Sequence, residues 1–70
     1  MRKISVIIAN RHQTSICLEE EFLSALKKIA QEKNISINAL VTEIDNNRTK
    51  NNLSSAIRVY ILQYMTNAIA

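Results

Sequence analysis

The sequence contains no glycine and no proline, so its turns cannot use the two residues that most often form them. Among residues with a side chain, asparagine tolerates the left-handed backbone conformation best. Asn34 stands where we predict a first helix to end, and a second group precedes a third helix. That group comprises Asn46, Asn47, Asn51 and Asn52. We therefore expect turns at these two places.

Cysteine and long apolar runs are scarce. The single cysteine, Cys17, cannot form a disulfide within the chain, and no cluster of Cys and His indicates a metal site. No segment reaches the roughly 20 apolar residues of a membrane-spanning helix, and residues 4–9 are too short for a secretion signal. No group of acid, histidine and nucleophile indicates an enzyme. We expect a cytoplasmic protein without metal, cofactor or membrane segment.

Length and hydrophobicity together predict one domain, residues 1–70, that associates with a second copy. A chain of 70 residues holds a thin core, yet 47% of its residues are hydrophobic. A lone chain of this length does not easily bury that fraction, so we expect a subunit interface. No repeat, low-complexity tract or linker divides the sequence.

Residues 11–18 alternate in a way that predicts a short strand. Ile16 and Leu18 fall on one face, and the opposite face carries Arg11, Gln13, Ser15 and Cys17. A lone strand leaves its backbone donors and acceptors unpaired, so we expect it to pair antiparallel with the same strand of a second copy. The face with Arg11 is polar, narrow and basic, which suits the DNA major groove.

Residues 3–9 are a candidate for an extra N-terminal strand. Apolar side chains recur at every second position, at Ile4, Val6 and Ile8. If the segment extends the ribbon without a bulge, these side chains share a face with Ile16 and Leu18. Alternatively, a turn at residues 9–11 folds the segment back into a hairpin. The sequence leaves both arrangements open.

Apolar periodicity predicts three helices after the strand. The first spans about residues 19–33, with a buried stripe of Phe22, Ala25, Leu26, Ile29 and Ala30. The second spans about residues 36–46 and has Ser36 as its N-cap. The third spans about residues 53–68 and is apolar around most of its circumference. We expect this helix to cover a dimer core, build a larger assembly or bind a protein partner.

The start of the second helix is a candidate anion site. The backbone amides of Ile37 and Asn38 have no partners within the helix, and beside a ribbon they would face a DNA phosphate. The net charge is +3, and residues 1–18 hold three basic residues and no acid. Attraction to phosphate follows from that distribution. The three acids at residues 19–21 are best explained as a solvated first turn that matches the helix dipole.

Several groups of residues stand at a joint spacing that is more specific than any one of them. They are Thr14-Ser15-Ile16, Leu18-Glu19, Phe22, Ala25-Leu26, Ile29-Ala30, Ser36, Leu40-Val41, Glu43-Ile44-Asp45, Arg48 and Asn52-Leu53-Ser54-Ser55-Ala56-Ile57-Arg58. With these residues the chain resembles the ribbon-helix-helix superfamily over residues 11–62, and it is closer to a bacterial subfamily with an added third helix. The resemblance implies a mainly α fold with a short β-ribbon and an intertwined homodimer whose core spans residues 11–47.

Carried over position by position, the resemblance assigns base contacts to Gln13, Ser15 and Cys17, and phosphate contacts to Ser36, Ile37 and Asn38. Relatives tend to have glycine where Arg11 stands and a basic residue where Gln13 stands. Arg11 is therefore expected to supply a further guanine or phosphate contact. Arg48 and Arg58 could contact phosphate, but a salt bridge with Glu43 or Asp45 explains them equally well.

The implied function is binding of double-stranded DNA as a transcriptional regulator, most simply a repressor. An antitoxin is a variant of this function, and the choice between dimer and tetramer stays open. The alternative is an interaction module that uses the third helix to dimerise or to bind a protein partner, while its ribbon touches no DNA.

Overall fold

The computed structural model describes residues 1–9, 11–47 and 52–69, without the side chains of residues 68 and 69. Two strands precede three helices: β1 (Arg2–Ile8), β2 (His12–Leu18), α1 (Glu20–Lys33), α2 (Ile37–Asn47) and α3 (Leu53–Ile69). The predicted ribbon followed by two helices and an added third helix is confirmed. The predictions for Arg48 and Asn51 lie outside the described residues.

The two strands form an antiparallel hairpin within one chain, with Arg2 opposite Leu18 and Ile8 opposite His12. The N-terminal segment therefore adopts the hairpin, which is one of its two expected arrangements. The expectation that β2 lacks a partner in its own chain is wrong, because β1 pairs with it along its whole length.

The hairpin turn is closed without glycine. The backbone N–H of Arg11 donates to the carbonyl of Ile8 at 3.1 Å, and Ala9 takes a φ of 54°. A positive φ is typical of the tight turns whose twist matches that of paired strands, and glycine or asparagine usually supplies it. Here alanine adopts it at some cost in backbone energy, which is one reason why the sequence alone gave no clear hairpin signal.

One face of the hairpin contributes to the core. Val6, Ile16 and Leu18 are buried there, with Ile4 and Ile8 partly buried beside them. The helices cover this face, since α2 contacts β1 while α1 and α3 contact β2. The buried residues are Val6, Ile16, Leu18, Leu23, Leu26, Ile29, Ala30, Leu40, Val41, Ile44, Ala56, Ile57 and Ile61. The predicted sharing of one face by the alternating residues of both strands is confirmed.

The helix ends agree closely with the sequence prediction. Asn34 takes the left-handed conformation (φ 60°, ψ 42°) after α1, as expected. The hydroxyl of Ser36 accepts a hydrogen bond from the N–H of Ala39 at 3.0 Å, which makes it the N-cap of α2. The side-chain oxygen of Asn52 accepts from the N–H of Ser55 at 3.1 Å and caps α3.

A polar cluster on the outside joins all three helices. The ammonium of Lys33 donates to the Glu43 carboxylate at 3.0 and 3.1 Å and to the Tyr60 hydroxyl at 3.2 Å. The hydrogen bond to Glu43, followed by the one to Tyr60, raises the pKa of Lys33 above its usual 10.5. Tyr64 donates to Glu32 at 2.9 Å, and the Tyr60 and Tyr64 rings stack with centroids 6.2 Å apart. These tyrosines therefore serve helix packing.

The third helix belongs to the core through one side only. Ala56, Ile57 and Ile61 are buried, whereas Val59 and Leu62 are 37% and 58% exposed. The predicted role of this helix as a packing element is confirmed for its buried side. Among the described residues, no helix combines the length and the apolar character needed to cross a membrane.

Candidate nucleic-acid interface

The outer face of the hairpin carries three cross-strand pairs of exposed side chains. Lys3 lies opposite Cys17, Ser5 opposite Ser15, and Ile7 opposite Gln13. The structure thus brings together Gln13, Ser15 and Cys17 on one solvent-facing surface, as the alternation of β2 predicts. No acidic residue occurs between residues 1 and 18. The surface therefore meets a polyanion without like-charge repulsion from the hairpin itself.

These three pairs are of the close type. The N–H of Cys17 donates to the Ser54 hydroxyl at 3.2 Å, and the N–H of Ile7 donates to the Asn38 side chain at 3.1 Å. Both groups point away from the opposite strand, so their residues belong to non-hydrogen-bonded pairs, whose Cα atoms lie about 4.5 Å apart. The outer face is therefore narrow, and its opposed side chains are close neighbours.

Basic residues stand at both ends of this face. Lys3 lies at the end next to Cys17, and Arg11 lies in the hairpin turn, exposed at the opposite end. Arg2 is also exposed, and its guanidinium lies 3.4 Å from the Glu20 carboxylate. Arg11 is therefore placed beside Gln13 at the tip of the ribbon, and Lys3 supplies positive charge at its base.

The start of α2 lies against the edge of β1. Besides accepting from Ile7, Asn38 offers its backbone carbonyl to the Thr42 hydroxyl at 2.8 Å, and that hydroxyl accepts from the N–H of Ala9 at 3.0 Å. A shallow hollow between helix and hairpin is lined by Ile7, Ala9, Ser36, Asn38, Ala39 and Thr42. The helix start therefore flanks the ribbon, which is the position that the sequence predicted for it.

The three predicted phosphate residues contribute in different ways. Ser36 is exposed, and its hydroxyl accepts from Ala39, so its own hydrogen can still be donated outward. Ile37 is half-buried among core residues, so only its backbone amide is suited to bind an anion. The side chain of Asn38 holds β1, which leaves its amide as the corresponding donor.

The guanidinium of Arg58 is engaged at the end of β2. It donates to the Glu19 carboxylate at 2.9 Å and to the carbonyl of Cys17 at 3.1 Å. The hydrogen bond from Arg58, followed by that from the backbone N–H of Glu19, lowers the pKa of Glu19 below its usual 4.5. The expected salt bridge of Arg58 with Glu43 or Asp45 is wrong as to its partner, which is Glu19.

Sequence reasoning missed the part that β1 plays in this surface. Lys3, Ser5 and Ile7 line the outer face beside β2. The signal was present, because placing Ile4 and Val6 on the inner face puts the intervening residues on the outer one. What the sequence lacked was evidence that the two segments pair with each other.

The fold and the family comparison agree. The family described as Ribbon-helix-helix domain matches residues 1–65, and the chain belongs to this family. Its members generally bind DNA as transcription regulators, form dimers and are typically not enzymes. No curated protein and no solved structure matches the chain. Within the described ranges, no three His, Cys, Asp or Glu side chains form a group that could hold a metal ion.

Proposed function

We propose that this protein is a sequence-specific DNA-binding regulator of transcription, most simply a repressor that occupies an operator in the cytoplasm. The observation that carries the proposal is the outer face of the hairpin. It is exposed, free of acidic residues and bordered by Lys3 and Arg11. These properties favour contact with a polyanion, and membership in a DNA-binding family supports the same conclusion.

The dimensions of the hairpin suit the major groove. Two strands of seven residues each extend about 23 Å and lie about 4.8 Å apart. A two-stranded ribbon of this width enters the roughly 12 Å wide major groove of B-DNA. Gln13 is suited to a bidentate contact with adenine, Ser15 to either donate or accept, and Cys17 to touch a thymine methyl. Arg11, at the tip, would contact guanine or a phosphate.

The helix start beside the ribbon supplies the second part of the proposed interface. With the ribbon in the groove, the hollow between Ile7 and Ser36 faces the flanking sugar-phosphate backbone. There the Ser36 hydroxyl and the amides of Ile37 and Asn38 would donate to a phosphate, helped by the positive end of the helix dipole. Such contacts fix the position of the protein on the duplex, while the ribbon distinguishes bases.

A homodimer is part of the proposal, and the outer side of α3 supports it. Val59 and Leu62 are exposed three residues apart, and residues 59–69 contain no charged side chain. An uncharged apolar surface can meet a second copy of itself without like-charge repulsion. Sedimentation of wild type and of the Leu62→Glu variant tests this. We expect a dimer and a monomer, respectively, and Ser24→Glu on the exposed side of α1 serves as control.

The interaction module without DNA contact is the second candidate, and the same exposed Leu62 favours it. Selection of bound fragments from random duplex DNA separates the two. Under the first proposal, wild type enriches a defined sequence, and its affinity falls steeply as salt rises because bound counterions are released from the duplex. Absence of enrichment, with a salt-independent background, would favour the interaction module.

A further inference from the structure

The outer face of the hairpin is shared by two different strands of one chain. Ser5 and Ser15 are opposed at its centre, with one further pair on each side. Because non-hydrogen-bonded partners have Cα atoms about 4.5 Å apart, a duplex that meets Ser15 also lies within reach of Ser5. The contribution of β1 to any contact made by this face follows from the register of the hairpin.

The helices of the same chain hold both outer edges of the hairpin. On the edge of β1, the N–H groups of Ile7 and Ala9 donate to the side chains of Asn38 and Thr42. These two bonds occupy backbone donors that a further strand would need.

The edge of β2 is held in the same way near its end. The N–H of Cys17 is bound by Ser54, and its carbonyl is bound by Arg58. A ribbon built from the β2 strands of two copies would have to displace either β1 or these helix contacts. The hairpin therefore has the character of a finished two-stranded ribbon.

We propose that the ribbon that reads DNA is formed within a single chain, and that Lys3 and Ser5 of β1 are base-contacting residues alongside Gln13 and Ser15. This inference rests on the proposed DNA-binding function and adds the identity of the second reading strand. Lys3 presents an ammonium, which is suited to the acceptor atoms O6 and N7 of guanine, and Ser5 presents a hydroxyl that both donates and accepts.

The proposal has a consequence for the DNA sequence that is bound. A ribbon made of two β2 strands would be symmetric about its centre and would present the same side chains to both halves of its site. The hairpin instead presents Lys3, Ser5 and Ile7 on one strand and Gln13, Ser15 and Cys17 on the other. The base pairs contacted by one ribbon should therefore form an asymmetric sequence.

The pairing of the strands is tested by disulfide trapping in the full-length protein, with Cys17→Ser as background. In the Ser5→Cys/Ser15→Cys variant, the two thiols lie in a directly opposed pair, close enough to be bridged. Mild oxidation should give an intrachain disulfide at monomer mass on a non-reducing gel, and the oxidised protein should still bind DNA. A covalent dimer from this variant, or from Ser15→Cys alone, would overturn the proposal.

The reading role of β1 is tested on the duplex that wild type selects. Lys3→Ala and Ser5→Ala should each weaken binding about fivefold or more, while Lys27→Ala, an equal loss of charge on an exposed part of α1, should change it about twofold or less. Thermal melts confirm that each variant is folded. If wild type binds and both β1 variants keep full affinity, this inference fails alone. If wild type selects no duplex, the proposed function fails with it.

Discussion

The side-chain oxygen of Asn38, in the first turn of α2, accepts a hydrogen bond of 3.1 Å from the backbone N–H of Ile7, 31 positions earlier. This bond attaches the helix start to the edge of the ribbon and sets the distance between the two parts of the proposed interface. It also satisfies a backbone donor on a strand edge that would otherwise invite a further strand.

Removing this contact should lower stability without unfolding the protein. In Asn38→Ala, the Ile7 N–H is exposed and turns to water, so we expect a loss of about 0.5–1.5 kcal/mol in the free energy of unfolding. For a domain of this size that corresponds to a fall of roughly 4–8 °C in melting temperature per kcal/mol. Asn46→Ala, at an exposed position of the same helix, is the control. Equal melting temperatures for both variants would contradict the role assigned to Asn38.

The Glu19–Arg58 pair should make stability depend on acid pH. The folded pKa of Glu19 is lowered, chiefly by the hydrogen bond from Arg58, so the unfolded chain binds this proton more readily than the folded one. The contribution is therefore complete above the unfolded value of about 4.5 and is lost as the pH falls through the folded value. Urea unfolding of wild type between pH 7 and 3 should show this loss.

Glu19→Gln should flatten that dependence, because the residue no longer titrates. Glu21→Gln removes an exposed carboxylate from the same helical turn and should leave the wild-type profile intact. If both variants follow wild type down to pH 3, the pair makes no pH-dependent contribution.

The parts of the fold that depend on neighbouring residues could be predicted from the sequence. Ser36 and Asn34 mark helix ends because capping and the left-handed conformation are local properties. The inner face of the strands followed from alternation alone. Leu23, by contrast, was missed because α1 contacts α2, α3 and β2, so its buried surface is wider than a single stripe, and Leu23 is fully buried within it.

What could not be predicted depends on residues far apart in the sequence. Whether residues 2–8 pair with β2 of the same chain or extend the ribbon depends on the turn at Ala9, and alanine with a positive φ leaves no signal in the sequence. The contacts of Asn38 with Ile7 and of Arg58 with Cys17 join residues 31 and 41 positions apart. Periodicity assigns faces to elements, but it does not identify such partners.

The third helix should be part of the cooperative unit through its buried side. Ile57 has no exposed surface, so Ile57→Ala removes buried methyl groups and leaves a cavity, and we expect a loss of about 2–5 kcal/mol. Val59→Ala, two residues away on the 37% exposed side, should stay within about 0.5 kcal/mol of wild type. Chemical denaturation followed by circular dichroism measures both. Similar small effects would show that α3 is an appendage to the remaining fold.

The tip of the ribbon should contribute directly to DNA affinity. Arg11 and Gln13 are both exposed and make no printed demand on the core, so Arg11→Ala/Gln13→Ala should keep the wild-type melting temperature. On the selected duplex, we expect binding to weaken by about tenfold or more, because a charged and a bidentate contact are lost together. The slope of affinity against salt should also decrease if Arg11 binds phosphate.

The matched control for this variant is Lys28→Ala/Gln31→Ala, which removes the same kinds of side chain, a cation and a glutamine, from exposed positions of α1. Because these residues lie on a helix outside the proposed interface, their loss should leave affinity within about twofold of wild type, apart from the general effect of one positive charge. If the two double variants weaken binding equally, net charge explains the affinity. If the ribbon variant also loses its fold, Arg11 and Gln13 are structural residues.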